Sequence, residues 1–292
     1  MGRQSETTRR RLTTIAAAIL AFAWAASVCA STPLEAGVSY LRSHQQADGG
    51  FAEPGRSSTA GLTAWAMLAL EASGIDASAS ERSARDYLVA APTSSATDLE
   101  LRLIALAALG DDVTALADEI DDLRKPDGRI GAQVNSTIWA VIALAQADRK
   151  PGSASISFLL RQQRMSGGWA WSTRAAPDCG DTAAAVQALR AAGLSKRSQA
   201  LVRAVRYLKR CQNPDGGFGT APGNDSDAQS TAWAIQGLLA AGALPGKSAF
   251  RYLTRLRQPD GSYRYNARYE ATPVWVTAQV VCALARKPFP LG

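Results

Sequence analysis

Apolar residues along this chain recur with the spacing of one helix face, and they do so in a repeated block. The clearest copies are residues 63–70 and 231–238, each opening Thr-Ala-Trp-Ala and running on through aliphatic positions. Similar blocks occupy 137–144, 182–189 and 277–284, and a weaker one without the leading Thr occupies 99–106. Counted from the Thr, offsets 0, 3, 4 and 7 are mostly small or aliphatic, which is one stripe of a 3.6-residue helix. Gly74, Gly110, Gly193 and Gly242 follow four of the blocks at the distance of a helix C-cap. A second, shorter apolar signature precedes the blocks, as Tyr40-Leu41, Phe158-Leu159, Tyr207-Leu208 and Tyr252-Leu253. Between the two signatures stands a loop: Gln46-Ala47-Asp48-Gly49-Gly50-Phe51, Gln163-Arg164-Met165-Ser166-Gly167-Gly168-Trp169, Gln212-Asn213-Pro214-Asp215-Gly216-Gly217-Phe218 and Gln258-Pro259-Asp260-Gly261-Ser262-Tyr263. Lys125-Pro126-Asp127-Gly128 is a degraded copy. Pro presets φ and Gly takes the awkward turn conformation. The pattern predicts six repeats of two helices. One repeat cannot bury its apolar face alone, and a closed stack has no exposed ends to cap.

The first 30 residues read differently. Arg9, Arg10 and Arg11 precede an apolar run over 15–28, and Val28-Cys29-Ala30 offers a cleavage site before Ser31. This is a secretory leader, with a retained N-terminal anchor as the alternative. The expectation is a secreted or envelope-associated protein, a single domain over 31–292, and membrane contact only through an uncleaved leader. Removing the leader leaves 28 basic and 24 acidic residues, a net charge of +4 spread along the chain. That excess is too small and too dispersed for a nucleic-acid surface. About 260 residues can bury one sizeable core, so one domain is the default, and a monomer is expected.

The segment 158–169 resembles the QW repeat of squalene-hopene and oxidosqualene cyclases. The chain is thereby similar to the terpenoid cyclase and protein prenyltransferase toroid superfamily, which also holds cobalamin carriers and complement thioester domains. The resemblance implies an all-α (α/α)6 toroid in which the second helix of each repeat lines an inner barrel with a cavity at one end. In the cyclases an Asp-x-Asp-Asp-Thr-Ala motif supplies a protonated carboxyl that starts the reaction. Here Asp178-Cys179-Gly180-Asp181-Thr182-Ala183 keeps the outer two acids but has Gly180 at the donor position, and Gln229 stands at the matching place before Thr231. Asp178, Asp181 and Asp227 are weak catalytic candidates. They fit equally well as helix-start residues, as do Ser58, Ser226 and Thr272-Pro273. The prenyltransferase zinc set of Asp, Cys and His is not matched: His44 is the single histidine, so no metal site is expected. Residues 230–238 are similar to the inner helices of cobalamin carriers, which makes a corrin-like ligand one option, although no cofactor is required by the residues. The carriers' C-terminal lid has no counterpart in the residues that end this sequence.

At offset 2 stand Trp65, Trp139, Trp233 and Gln279, and at offset 5 Gln187 and Gln236. Facing a lumen, they would give a small apolar or polycyclic ligand a large aromatic area and a few orienting amides. Facing outward, they would be filler between the two helix rings. The loop glutamines Gln46, Gln163, Gln212 and Gln258 are expected to tie helix ends together. In the toroid frame Cys179 and Cys211 fall at the same end of adjacent repeats, and an oxidising compartment would join them. Cys282 aligns with Gln236 and would stay free. Three functions remain open: a ligand-binding module, a cyclase-like enzyme with a degenerate acid motif, and a protein-interaction scaffold.

Overall fold

The computed structural model describes residues 31–92 and 95–291; the leader and its cleavage site after Ala30 lie outside the described residues. The chain divides into the units 1–32 and 33–292. The second contains twelve helices among the described residues: α1 (Pro33–Ser43), α2 (Ala60–Ser73), α3 (Ser78–Ala90), α4 (Ala96–Ala108), α5 (Thr114–Asp122), α6 (Val134–Gln146), α7 (Ser153–Gln162), α8 (Cys179–Ala191), α9 (Gln199–Arg210), α10 (Ala228–Ala240), α11 (Lys247–Arg255) and α12 (Pro273–Ala285). Phe218–Gly219 (β1) and Ser226–Asp227 (β2) form a two-residue antiparallel pair, with Phe218 opposite Asp227.

The even-numbered helices pack in sequence, α2 on α4, α4 on α6, and so on to α10 on α12, and α12 returns to α2. The odd-numbered helices lie outside: α3 bridges α2 and α4, α5 bridges α4 and α6, and α1 covers α12 and α2. This is the expected (α/α)6 toroid. Inner helices are buried on nearly every side because they have neighbours on both flanks and outside, which explains why they read as apolar all round. Outer helices bury one stripe, such as Leu201, Ala204, Tyr207 and Leu208 of α9.

The Thr that opens each block ties its repeat together. Phe51, Ile130, Trp169, Phe218 and Tyr263 each donate a backbone N–H to the Oγ1 of Thr63, Thr137, Thr182, Thr231 and Thr277, at 2.8–3.1 Å. All five threonines are fully buried. The first loop glycine then docks on the next outer helix. Gly167 has φ +96°, and a Cβ there would stand 2.5 Å from the carbonyl oxygen of Arg203. Gly261 makes the same approach to Ala36 of α1, and Tyr263 Oη donates to Pro33 O at 2.8 Å, so the last repeat closes on the first.

Two loop and two cap assignments shift by one residue. Gln163 and Gln212 reach back to Gly167 O and Gly216 O and across to the next outer helix. In the first loop that work falls to Gln45, not Gln46, through Gly49 O and Ser80 O at 2.8 Å each. The equivalent position in the degraded copy is Arg124, which bonds Pro151 O at 2.7 Å and Ser155, and in the last copy it is Arg257 rather than Gln258. The caps are Thr59, Asp178 and Asp227, while Ser58 and Ser226 bond the loop acids Asp48 and Asp215 instead. Thr272 sits at φ +41° without capping. Glu53 from the first loop caps α12 in its place, accepting from Val274 N at 3.0 Å and Trp275 N at 2.9 Å.

Candidate functional site

Every loop that leads from an outer to an inner helix lies at the end of the ring where the inner helices begin. There the ring encloses a cavity of about 1210 Å³. All six inner helices line it with their first two turns: Gly61 and Trp65, Asp98 and Leu101, Asn135 and Trp139, Asp181 and Ala184, Gln229 and Trp233, Trp275 and Gln279. The floor is the offset-2 layer. Trp65, Trp139 and Trp233 meet edge to face, with centroids 5.5–5.6 Å apart and planes at 83–88°. That mutual geometry suits the ring quadrupoles. It closes the lumen and leaves only a small part of each indole facing the cavity.

Beneath the three tryptophans the chain's own C-terminal segment enters the ring. Phe289 lies under them, edge-on or tilted, with ring centroids at 5.9–6.4 Å. Its N–H donates to Gln187 Oε1 at 2.7 Å. Leu291 exchanges two bonds with Gln146, N–H to Oε1 at 2.7 Å and O from Nε2 at 2.9 Å. This corrects two expected ligand contacts. Gln187 is fully buried below the floor and holds the tail, so it does not face the cavity. Gln236 is also fully buried there, and neither end of its amide has a hydrogen-bond partner. The offset-5 layer lies one helical turn deeper than the offset-2 layer, which puts it on the far side of the tryptophans. Of the six expected ligand residues, Trp65, Trp139, Trp233 and Gln279 line the cavity.

The three candidate acids separate in the same way. Asp178 and Asp181 line the cavity; Asp227 does not. Asp227 caps α10, with Oδ1 accepting from Ser230 N and Oδ2 from Ser230 Oγ, both at 2.7 Å. Burial raises its carboxyl, and the Ser230 bonds oppose the rise. Asp178 caps α8 by accepting from Asp181 N at 2.8 Å. Asp181 accepts from Asn135 Nδ2 across the α6–α8 boundary. Burial first, then hydrogen bonding and repulsion from Asp178, push the Asp181 carboxyl up to about 8, against a smaller opposing effect of Asn135. The raised Asp181 carboxyl stands beside a second carboxyl, an arrangement that favours holding a proton which can then be donated. Gly180 also lines the cavity, and a Cβ there would meet only Asp178 Oδ1, at 3.4 Å.

Cys179 and Cys211, the pair expected to bridge under oxidising conditions, are both free thiols here. Each donates to a backbone carbonyl, Cys179 to Ser230 O at 3.6 Å and Cys211 to Tyr207 O at 3.5 Å. They are nonetheless neighbours, since contact with Cys211 and burial together hold the Cys179 thiol well above its ordinary value. Cys282 is buried in α12, its thiol pushed up to about 12 by desolvation.

Two signals were missed in the sequence. Asn135 stands two residues before the Thr, at the height of Gly180 and Gln229, and the periodicity of that position could have revealed it. Glu100 is fully buried in α4 with both oxygens unpartnered, and burial raises its carboxyl well above the usual range.

The squalene-hopene cyclase C-terminal domain matches residues 130–291, and the prenyltransferase alpha-alpha toroid domain matches 3–99. No curated protein sequence matches the chain. Among solved structures, a variant of the type II terpene cyclase MstE from Scytonema in complex with geranylgeranyl dihydroxybenzoate is similar with a TM-score of 0.68 at 18% identity, over 87% of this chain and 95% of that one. A protein from Actinoplanes gives 0.66 at 19% identity, over 87% and 98%. A glycosidase variant gives 0.62 at 11% identity, over 87% and 95%. At these identities the structural likeness speaks for the shared ring.

Proposed function

The chain belongs to the squalene-hopene cyclase C-terminal domain family, and from that membership we propose that it holds a small apolar or polycyclic, isoprenoid-like ligand in the cavity of its ring. The observation that carries this is a cavity of about 1210 Å³ that ends on a floor of three tryptophans, with Leu62, Leu101, Ala184 and Trp275 on its walls, since an apolar base below polar orienting groups is what such ligands need. MstE, which shares the ring, takes geranylgeranyl dihydroxybenzoate as its substrate. The test is native mass spectrometry of the full chain purified from its own host, followed by extraction of bound molecules. A stoichiometric isoprenoid or polycyclic compound, lost in Trp233→Ala, supports the reading. An empty protein that takes up no terpenoid or corrin overturns it in favour of a scaffold.

A second reading is acid-initiated chemistry, favoured by the raised Asp181 carboxyl beside Asp178 at the cavity wall. Asp181 would donate the proton that the cyclase middle acid, replaced here by Gly180, would otherwise supply. Incubation with squalene and geranylgeranyl substrates, read for isomeric cyclic products, tests it. Turnover that survives Asp181→Asn removes Asp181 from the role. Export fits both readings: we place signal cleavage after Ala30, checked by the N-terminal sequence of the mature protein.

A further inference from the structure

Polar side chains line much of the cavity wall, and four of them belong to consecutive inner helices. The first turn of α2 brings Gly61, Leu62 and Trp65, and α4 carries Thr97 and Asp98 above Leu101. The four consecutive helices α6, α8, α10 and α12 bring Asn135, Asp181, Gln229 and Gln279. These four form two pairs across helix boundaries. Asn135 Nδ2 donates to Asp181 Oδ1, and Gln229 Nε2 donates to Gln279 Oε1 at 3.0 Å. Each amide uses one end in its pair. Among the described residues Asn135 Oδ1, Gln229 Oε1 and Gln279 Nε2 have no protein partner, and all three residues line the cavity. Gln279 stands in the tryptophan layer itself and is only 3% exposed.

A hydrocarbon covering this arc would strip water from two acceptors and a donor and return nothing. An anionic head group at this arc would meet two acceptor oxygens and the carboxyl group of Asp178, while Arg56, the cation among the lining residues, stands on the loop before α2 and outside the four-helix arc. A hydroxyl fits, because it donates to an amide oxygen and accepts from Gln279 Nε2 at once. We infer that the ligand is a neutral oxygenated isoprenoid or polycycle, an alcohol whose hydroxyl meets the arc of α6 to α12 while its hydrocarbon lies on the tryptophan floor. The inference rests on the cavity being the ligand site.

The test titrates the full chain with phytanol and cholestanol and with their hydrocarbon counterparts phytane and cholestane, delivered from mixed micelles and read by tryptophan fluorescence. At least one alcohol binds about tenfold or more tighter than its hydrocarbon, the effect of one or two buried hydrogen bonds. In the double variant Asn135→Leu, Gln279→Leu the preference disappears while hydrocarbon binding remains, which shows that the ring is still folded. Equal affinity for alcohol and hydrocarbon overturns the inference and leaves the ligand site standing. Failure of all four compounds to bind the folded chain overturns both.

Discussion

Phe289 offers a direct test of the ring's inner organisation. It is 2% exposed and touches all three floor tryptophans from below. Its N–H is fixed by Gln187, so the backbone stays anchored when the ring is removed. Phe289→Ala therefore leaves a void rather than a collapsed tail. Substitutions of this kind cost about 3–5 kcal/mol, and the loss of aromatic contacts places this one within that range rather than below it. For a domain near this size each kcal/mol moves the melting temperature by roughly 2–4 °C, so a fall of about 10 °C is expected. Differential scanning calorimetry measures it, with Leu244→Ala as the control: Leu244 is 85% exposed, and its loss should cost no more than about 0.5 kcal/mol. Tryptophan emission should shift to the red in Phe289→Ala, because water gains access to the floor from below. A melting temperature within about 1 °C of the parent would show that the tail does not occupy the ring, and the assignment of Gln187 as its anchor would fall with it.

Four further outcomes follow from individual side chains. Asp181 has its folded-state carboxyl raised from 3.8 to about 8, so the folded chain holds an extra proton between those values. Its contribution to stability is complete below about pH 4 and is lost as pH rises towards 8, with a slope of at most about 1.4 kcal/mol per pH unit. Asp181→Asn should flatten that part of the stability–pH curve, and an unchanged curve would contradict the assignment. Glu100 occupies the place held by Ala64, Ile138, Ala183, Ala232 and Ala278 in the other inner helices, and both its oxygens are buried without partners. Glu100→Leu should raise stability by about 1–3 kcal/mol in urea unfolding. Gly180→Asp should leave the melting temperature within about 2 °C, because its Cβ meets only Asp178 Oδ1 at 3.4 Å, and a larger drop would mean the cavity wall is tighter than described. Oxidation of the neighbouring thiols Cys179 and Cys211 should stabilise the chain by about 3 kcal/mol. Non-reducing peptide mapping identifies the bridge, and two thiols that stay free under a protein disulfide oxidant would refute their proximity.

The repeat spacing carried the ring because each device in it is local. The apolar stripe of an inner helix, the Gly turn and the following cap lie within a few residues, and ring closure requires only that every copy present the same faces. The floor was legible for the same reason: Trp65, Trp139 and Trp233 share an offset, and a shared offset in a closed ring means a shared height. What the offset does not encode is which side of that layer opens to solvent. Gln187 and Gln279 differ by three positions in the repeat frame, yet one anchors the tail and the other faces the cavity, because Phe289 arrives from more than a hundred residues away. The same limit explains Asp178 and Asp227. Both are acids at the start of an inner helix, and both satisfy the first turn's N–H groups. Their difference lies in the partner across the helix boundary. Asp227 has its serine on its own helix and is spent as a cap, whereas Asp178 stands beside an acid that Asn135 of the preceding inner helix holds at the wall. A functional site in a ring of equivalent helices is thus set by the exceptions to the repeat, and those exceptions become chemistry only when a neighbouring repeat or a distant segment supplies the second half.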